Sequence, residues 1–440
     1  MGERETHRAI EAVWRIESAK IIAGVARLVR DVGLAEEFAQ DALVGALERW
    51  PASGIPDNPG AWLMAVAKNR ALDHLRHESL AERKHEELAR ELAVWQETAS
   101  ADPAAAPDDP FGDDLLRLVF TACHPVLSKE ARVALTLRLL GGLTTDEIAR
   151  AFLVAEPTIA QRIVRAKRTL AGARVPFEVP RAGELASRLA SVLEVIYLVF
   201  NEGYSATAGD DWVRPALCED ALRLGRILAE LVPGESEVHG LVALMEIHAS
   251  RLRARLGPSG EPILLLDQNR ARWDYVLVGR GLAALARAAG LGGALGPYAL
   301  QAAIAACHAR ARSAAETDWT RIVALYDALA QLAPSPVVEL NRAVAVAMAF
   351  GPEVGLRLVD DLVSERSLGT YYLLPSVRGD LLWRLGRFRE ARGEFERAAT
   401  LTRNSRERRL LVDRATACRT RSARPDRVSP ARRSVTRRAS

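Results

Sequence analysis

The sequence predicts an all-α protein, and three observations support this prediction. Almost every periodic stretch spaces its apolar residues three or four positions apart, which is the helical period. Segments that alternate β-branched with polar residues are missing. Proline-bounded segments such as "PASGIPDNP" and "RVPFEVPRAG" separate the periodic stretches. At 440 residues the chain is too long for one core, so several domains are expected.

Composition and charge exclude several classes of function. The net charge of +4 is small for this length, so any contact with a polyanion must come from local patches of cations. The four cysteines are scattered without a Cys-x-x-Cys pair, which predicts buried thiols and neither a disulfide framework nor a zinc site. No metal or cofactor is therefore expected.

Membrane association is not expected either. The N-terminal "MGERETHRAIEAVWRIES" is charged and lacks the apolar core of a signal peptide. The longest apolar run, "AVAVAMAF", is far shorter than the ~20 residues that span a bilayer. These features predict a cytoplasmic protein with no membrane partner.

Charged and proline-rich segments divide the chain into blocks. The segment after the first block has nine acids against three bases, and its "ADPAAAPDDP" cannot bury a core, which indicates a linker that is helical at its start and then flexible. The Arg/Ser/Pro-rich end has no periodicity and is expected to be disordered. The predicted domains are a three-helix block over 7–77, the linker over 78–112, a second block over 113–174, a helical extension over 183–418 and a tail over 419–440.

The first block is predicted to contain three helices. The first helix turns an apolar stripe to the core, formed by Ile10, Val13, Trp14, Ala23 and Leu28. The second helix, "LAEEFAQDALVGALERW", does the same with Phe38, Ala42, Leu43 and Leu47. Prolines and a glycine in "PASGIPDNP" are expected to break the chain before the third helix, "GAWLMAVAKNRALDHLRHE".

The third helix suggests contact with single-stranded DNA. Trp62 stands beside the proline-broken loop, and within the next four turns of helix come Lys68, Asn69, Arg70, Asp73, His74 and Arg76. Cations can hold a DNA backbone while an aromatic side chain and a shaped loop capture unstacked bases. For this helix in isolation, a solvated basic face with a tryptophan in the core explains the pattern equally well.

The segment Leu143–Leu170, "LTTDEIARAFLVAEPTIAQRIVRAKRTL", predicts a helix-turn-helix. Thr144 and Glu147 form a capping box that starts the first helix, and Pro157 suits the first turn of the second, although Ala155 is a poor N-cap. The second helix buries Ile159, Ile163, Ala166 and Leu170 and offers polar side chains to a major groove, namely Thr158, Gln161, Arg162, Arg165 and Arg168. Lys167 is expected to contact phosphate. The alternative is an amphipathic helix pair with a solvated basic face.

Taken together, the blocks resemble bacterial RNA polymerase sigma factors of the extracytoplasmic-function (ECF) type, in the sigma-70 family. "AEEFAQDALVGALERW" resembles the family's region 2.2, "PGAWLMAVAKNRALDHLR" its regions 2.3 and 2.4, and the helix-turn-helix its region 4.2. The resemblance covers about residues 7–172. "FTACHPVL" and "NEGYSAT" are similar to motifs of the group that carries a tetratricopeptide-like C-terminal extension.

The resemblance implies a protein without enzymatic activity whose partners are RNA polymerase core and promoter DNA. Residues that would meet the polymerase clamp helices are Glu37, Gln40 and Asp41. Residues that would melt and capture the −10 element, with the loop Pro51–Pro59, are Trp62, Lys68, Asn69, Arg70, Asp73 and Arg76. Residues that would contact the −35 element are Thr158, Gln161, Arg162, Arg165, Lys167 and Arg168. The acidic linker would lead towards the RNA channel.

The extension carries tetratricopeptide-like features near its end. Leu385-Gly386-Arg387 is predicted to turn the chain between two helices, after which Ala391, Phe395 and Ala398 recur at helical spacing. A concave helical-repeat surface usually binds a peptide or protein, and the resemblance suggests that the extension regulates or supports the sigma factor. "NEGYSATAGDD" carries suggestive side chains, but it predicts a buried or partner-binding loop because no HExxH motif or nucleophile elbow accompanies it.

Two functional hypotheses remain at this point. The first is a promoter-specificity subunit of RNA polymerase. The second is a stand-alone helix-turn-helix regulator whose repeat domain binds a ligand or peptide. The first block separates them, because an ordinary regulator has no use for a strand-capturing helix beside a proline-broken loop. An enzyme with an appended DNA-binding module would rest on "NEGYSATAGDD" alone.

Overall fold

The computed structural model describes residues 3–81, 110–152 and 154–422, and these residues confirm the all-α prediction. They form eighteen helices and two strands of two residues each. Most of the predicted linker and the tail from residue 423 onward lie outside the described residues. None of the helices in this part of the chain combines the length and apolarity needed to cross a bilayer.

The first block forms the three predicted helices, α1 (Glu3–Val29), α2 (Val32–Ser53) and α3 (Pro59–Ala81). Asp31 caps α2, because its carboxylate accepts hydrogen bonds from the amides of Gly33 (2.6 Å) and Leu34 (3.0 Å). Small residues let the helices approach closely, and those of α2 that are fully buried are Ala35, Ala39, Ala42 and Ala46. Leu47 was predicted to face the core but is 37% exposed.

The sequence predicted that the chain breaks from Pro51 onward, but the second helix continues through Pro51 to Ser53. The last turn is held by Ser53 Oγ, which donates to the carbonyl of Arg49 (2.9 Å), and by the amide of Gly54, which donates to the carbonyl of Trp50 (3.0 Å). Gly54 then ends the helix at φ +86°, a conformation that favours glycine. Proline is tolerated here because the helix has only one turn left to satisfy.

The second block forms four helices, α4 (Pro110–Ala122), α5 (Lys129–Leu139), α6 (Thr145–Phe152) and α7 (Glu156–Gly172). The predicted capping box is confirmed at the start of α6. The Thr144 amide donates to Glu147 Oε2 at 2.8 Å, and the Glu147 amide donates to Thr144 Oγ1 at 3.1 Å. The sequence therefore located the start of the helix-turn-helix correctly.

The remaining helices belong to the extension, which also contributes the parallel strands β1 (Ala208–Gly209) and β2 (Arg403–Asn404). These helices are α8 (Ala182–Tyr204), α9 (Pro215–Leu231), α10 (Ser236–Ala249), α11 (Tyr275–Gly290), α12 (Pro297–Arg310), α13 (Trp319–Leu332), α14 (Pro336–Phe350), α15 (Pro352–Leu362), α16 (Leu373–Arg384), α17 (Phe388–Leu401) and α18 (Ser405–Ser422). Since α18 continues to Ser422, the predicted disordered tail does not begin at residue 419.

Residues of the predicted extension, 183–418, fall in two compact units. The first unit contains the described residues up to Ala206 together with Val213–Ser250 and Tyr275–Ala302. The second unit contains Thr207–Trp212, Arg251–Asp274 and the described residues from Ala303 onward. The early helices of the extension therefore belong to the same unit as α1–α7, because they pack against them.

In the second unit, consecutive helices from α13 to α18 pack against each other. The predicted turn lies between α16 and α17, where Gly386 adopts φ +73°. Ala391, Phe395 and Ala398 are fully buried, as their spacing predicted. A Cβ atom on Gly379 would lie 2.8 Å from the Phe395 ring, so glycine is needed for this close approach. These features confirm the turn and the buried spacing that the sequence predicted near the end of the extension.

Candidate nucleic-acid interface

The surface of α7 separates into a buried side and an exposed polar side. Ile159, Ile163, Ala166 and Leu170 are buried, as their spacing predicted. The predicted DNA-facing residues lie on the other side, where Thr158, Gln161, Arg165 and Arg168 are exposed and Arg162 is half-buried. Ala155 lacks a capping side chain, while Pro157 stands in the first turn. This helix can therefore offer amide, hydroxyl and guanidinium donors to the base edges of a major groove.

Lys167 does not lie on the exposed side of α7, although it was predicted to contact phosphate. Its Nζ lies 2.5 Å from Oε2 of Glu36 in α2. The Lys167 side chain also passes Gly33, where a Cβ atom would lie 3.6 Å from its Cδ. In this arrangement Lys167 is a contact between the first and second blocks, because a buried carboxylate attracts it.

Glu36 is the centre of this contact. Its side chain is buried, and Oε1 accepts hydrogen bonds from Nε of Arg138 and from Nε2 of Gln40, both at 2.5 Å. Burial alone would raise the pKa of Glu36, but the Lys167 and Arg138 cations outweigh it, and the pKa lies below its usual value of 4.5. A second ion pair between the blocks joins Arg15 of α1 to Glu147 of the capping box at 2.6 Å.

The predicted −10 residues on α3 are divided between surface and interior. Asn69, Arg70, Asp73 and Arg76 are exposed, and Arg76 pairs with Asp73 at 3.0 Å. Trp62 is half-buried and packs edge-on against the buried Trp50, with 5.3 Å between ring centroids. The tryptophan therefore closes the core beside the 54–58 loop and keeps part of its ring at the surface.

Lys68 is the second predicted DNA contact that lies against the other block. Burial and the Arg27 cation lower the pKa of Lys68 to about 8, while the nearby Asp114 anion opposes this shift. Asp114 is itself buried, with Arg117 at 2.9 Å and Arg27 at 3.7 Å. Because Asp114 belongs to α4, Lys68 lies where the first and second blocks meet.

The predicted polymerase-binding residues lie on α2. Glu37 and Asp41 are exposed, and Gln40 is half-buried, with its amide donating to Glu36. The sequence did not predict roles for Glu36, Arg138 and Asp114, the groups that join the two blocks. One signal was present in the sequence: Glu36 lies at helical spacing from Val32 and Ala39, and this spacing would have placed its charge on the buried face of α2.

The "NEGYSATAGDD" motif forms structural contacts. Glu202 is buried and pairs with Arg214 at 2.5 Å, and the Tyr204 ring stacks on Phe200 with 5.8 Å between centroids. In the second unit, the backbone carbonyl of Asp211 accepts a hydrogen bond from Asn404 at 2.8 Å. Among the residues that the structure describes, no cluster of His, Cys, Asp and Glu could hold a metal ion. All four cysteines are buried thiols, which confirms the prediction.

Three family models match successive parts of the chain. Sigma-70 region 2 matches residues 17–80, and Sigma-70, region 4 matches residues 117–170. A family of unknown function (DUF6596) matches residues 188–289. The first two matches coincide with α1–α3 and α4–α7, and the third begins in α8. Helices α1–α3 are therefore called region 2, and helices α4–α7 are called region 4.

Similar proteins extend this finding. An uncharacterized protein of Rhizobium meliloti is 45% identical over 87% of this chain and 89% of its own length. The ECF RNA polymerase sigma factor SigK of Mycobacterium ulcerans is 31% identical over 38% of this chain and 86% of its own length. The probable ECF RNA polymerase sigma factor SigI of Mycobacterium tuberculosis is 30% identical over 40% of this chain and 59% of its own length. No solved structure matches the chain.

An all-α chain with region 2 followed by a region 4 helix-turn-helix is a sigma factor of the sigma-70 class. The chain belongs to the ECF family of RNA polymerase sigma factors and carries a C-terminal extension.

Proposed function

We propose that this sigma factor binds RNA polymerase core and directs promoter-specific initiation by capturing the −10 element and reading the −35 element. The observation that carries the proposal is the exposed polar face of α7. Gln161, Arg162 and Arg165 stand on that face while the opposite stripe is buried. Gln pairs with adenine edges and Arg with guanine edges in a major groove, so this face has the chemistry for reading a duplex.

The −10 element would be held by α3. Asn69, Arg70 and Arg76 are exposed on this helix, and the partly exposed Trp62 stands beside the 54–58 loop. Cations beside an aromatic side chain and a short loop suit single-stranded DNA. Asp73 would orient Arg76 through their ion pair.

Core polymerase would be bound through α2. The exposed Glu37 and Asp41 offer two carboxylates on the region 2 match, next to the half-buried Gln40. Exposed carboxylates of this kind suit a basic partner surface, and they would act mainly on association rate and register. The linker would lead towards the RNA channel, although most of it lies outside the described residues.

The extension would regulate or support the sigma factor through a regulatory protein or peptide. A groove of about 760 Å³ in the second unit lies between the apolar segment 262–267 and helices α14, α16 and α18. Its lining combines apolar side chains with charged ones, including Met348, Trp383, Asp380, Arg384 and Arg414. A concave helical-repeat surface of this composition suits a peptide.

A stand-alone helix-turn-helix regulator is the alternative reading. The match to region 2 over residues 17–80 disfavours it, because a regulator of that kind needs no strand-capturing helix. We further propose that the protein acts in the cytoplasm without metal, cofactor or catalytic activity of its own. The contacts of Glu202 and Tyr204 support a structural role for the one motif that suggested catalysis.

Run-off transcription with purified core polymerase tests the proposal. The full chain should yield transcripts of defined length from its cognate promoter, and core alone should not. Promoters are first obtained by sequencing DNA that co-purifies with the polymerase–protein complex. Duplex binding without core, together with no transcript when core is added, would support the stand-alone regulator instead.

A further inference from the structure

The start of the extension holds region 4 by the ends of its helices. Three arginines of α8, α9 and the segment between them donate to backbone carbonyls at the C-terminal ends of α4, α5 and α6. They are Arg188, Arg223 and Arg214, respectively. Each of the three region 4 helices that precede the recognition helix α7 therefore receives one arginine. All of these residues lie in the first unit.

The end of α4 is held by two side chains of α8. Arg188 donates from a guanidinium nitrogen to the carbonyl of Phe120 at 2.9 Å, and Ser191 Oγ donates to the carbonyl of Cys123 at 2.7 Å. Glu194, one turn further along α8, pairs with Lys129 of α5 at 2.5 Å. This side of α8 therefore matches the polar groups around the turn between α4 and α5.

The end of α5 is held by α9. One guanidinium nitrogen of Arg223 lies 3.2 Å from the carbonyl of Leu140 and 3.1 Å from the carbonyl of Gly141. Asp220, one turn earlier on α9, lies 3.8 Å from the same guanidinium. Arg223 therefore reaches the two carbonyls that follow the last residue of α5.

The end of α6 is held by Arg214, which stands just before α9. The same guanidinium nitrogen contacts the carbonyl of Ala151 and Oε1 of Glu202, the latter at 2.5 Å. Glu202 belongs to the "NEGYSATAGDD" motif and is buried. The motif thus positions an arginine against the first helix of the helix-turn-helix.

Helix C-termini need such donors. The last four carbonyls of an α-helix have no intrahelical partner, and they carry the negative end of the helix dipole. A guanidinium supplies several N–H donors and a positive charge, so it satisfies both needs. An apolar seam continues the contact: Val192, Ile196 and Leu224 of the extension line a small cavity together with Val119 and Leu140 of region 4.

We infer that α8 and α9 form an interaction surface whose partner is region 4 of the same chain. The segment matched by the family of unknown function begins in α8. Its first two helices cap the helices of region 4 and pack against them. The surface lies away from the exposed face of α7, so region 4 is stabilised while Gln161 and Arg165 stay exposed. Part of the extension is therefore a structural component of region 4.

Hydrogen–deuterium exchange of the full-length protein tests this inference. The variants are Arg188→Ala, Arg223→Ala and Arg214→Ala, with the exposed Arg287→Ala as a matched control in the same unit. Each variant should speed exchange about tenfold in the region 4 helix whose end the arginine contacts. The lost capping hydrogen bond lowers the free energy of local opening there. Peptides from α4, α5 and α6 should respond in that order, and peptides from α13–α17 should not change.

The inference is overturned if exchange in α4–α6 matches that of Arg287→Ala in all three variants. If an alanine variant fails to fold, the corresponding lysine variant decides. Lysine keeps the charge but not the planar set of donors, so it should raise exchange in the same helix by a smaller factor. No difference from the control would again overturn the inference. The measurement uses neither polymerase nor DNA, so its outcome is independent of the transcription assay.

Discussion

Lys167 of α7 contacts Glu36 of region 2, with 2.5 Å between Nζ and Oε2. The sequence predicted that this lysine would contact phosphate. In the structure its charge neutralises a buried carboxylate that Arg138 also contacts. Glu36 and a DNA phosphate are both anionic acceptors for the Lys167 ammonium group. While Lys167 pairs with Glu36 between the two regions, it does not contact a phosphate.

Glu36→Gln is expected to lower the free energy of unfolding by about 2 kcal/mol, because the Lys167 and Arg138 cations lose a buried anionic acceptor. Urea denaturation of the full-length protein measures the change. Glu37→Gln is the matched control, since Glu37 is the next residue in the sequence and its carboxylate is exposed. Equal stability of the two variants would show that the buried ion pairs contribute nothing measurable.

The same carboxylate should make stability depend on pH. The folded-state pKa of Glu36 lies below its usual value of 4.5, so the unfolded chain takes up a proton before the folded protein does. Its contribution is fully present well above pH 4.5 and is lost as the pH falls through the folded-state pKa. The difference in unfolding free energy between the parent and Glu36→Gln should therefore shrink from pH 6 to pH 4. A difference that is constant over this range would contradict the assignment.

Base reading by α7 should be sensitive to two arginines. Arg162→Ala and Arg165→Ala are each expected to weaken binding of the −35 element by about 1–3 kcal/mol, through loss of a bidentate contact to guanine. Competition between cognate and altered −35 sequences, with holoenzyme, measures this change. Arg181→Ala is the control because Arg181 is exposed outside α7. Unchanged promoter preference in both α7 variants would show that Arg162 and Arg165 do not contact bases of the −35 element.

Lys68 should titrate with a midpoint of about 8, because burial and Arg27 disfavour its charged form. Carbon-13 NMR of the reductively dimethylated protein follows each lysine separately. Asp114→Asn should lower the midpoint of Lys68 further, since it removes the anion that opposes the shift. A midpoint near the ordinary value of 10.5 would show that Lys68 is not held between the two regions.

The second unit should not tolerate a methyl group at Gly355. A Cβ atom there would lie 2.4 Å from Cβ of Ala347 and 2.8 Å from the carbonyl oxygen of Ala343, and α14 and α15 would have to separate. Gly355→Ala is expected to cost about 1–3 kcal/mol of stability. Gly393→Ala is the control: nothing lies within 4 Å of its added Cβ, so this variant should gain up to ~1 kcal/mol. Thermal unfolding compares the two, and equal behaviour would contradict the packing.

The sequence by itself determined the helical class, the capping box at Thr144 and the buried stripe of α7. It also determined the turn at Gly386. Each of these depends on residues within one or two helical turns, where period, cap and glycine conformation act locally. The matches to regions 2 and 4 agree with that local pattern.

Only the tertiary structure decided how the charged residues are used. Lys167 and Lys68 were predicted to contact DNA, and both lie at the contact of region 2 with region 4. Arg138 contacts a carboxylate 102 positions away, and Arg188 caps a helix that ends 66 positions earlier, counted from Ala122. Helical period states which face a side chain occupies, but the partner of a long cation depends on which distant acceptor is buried beside it.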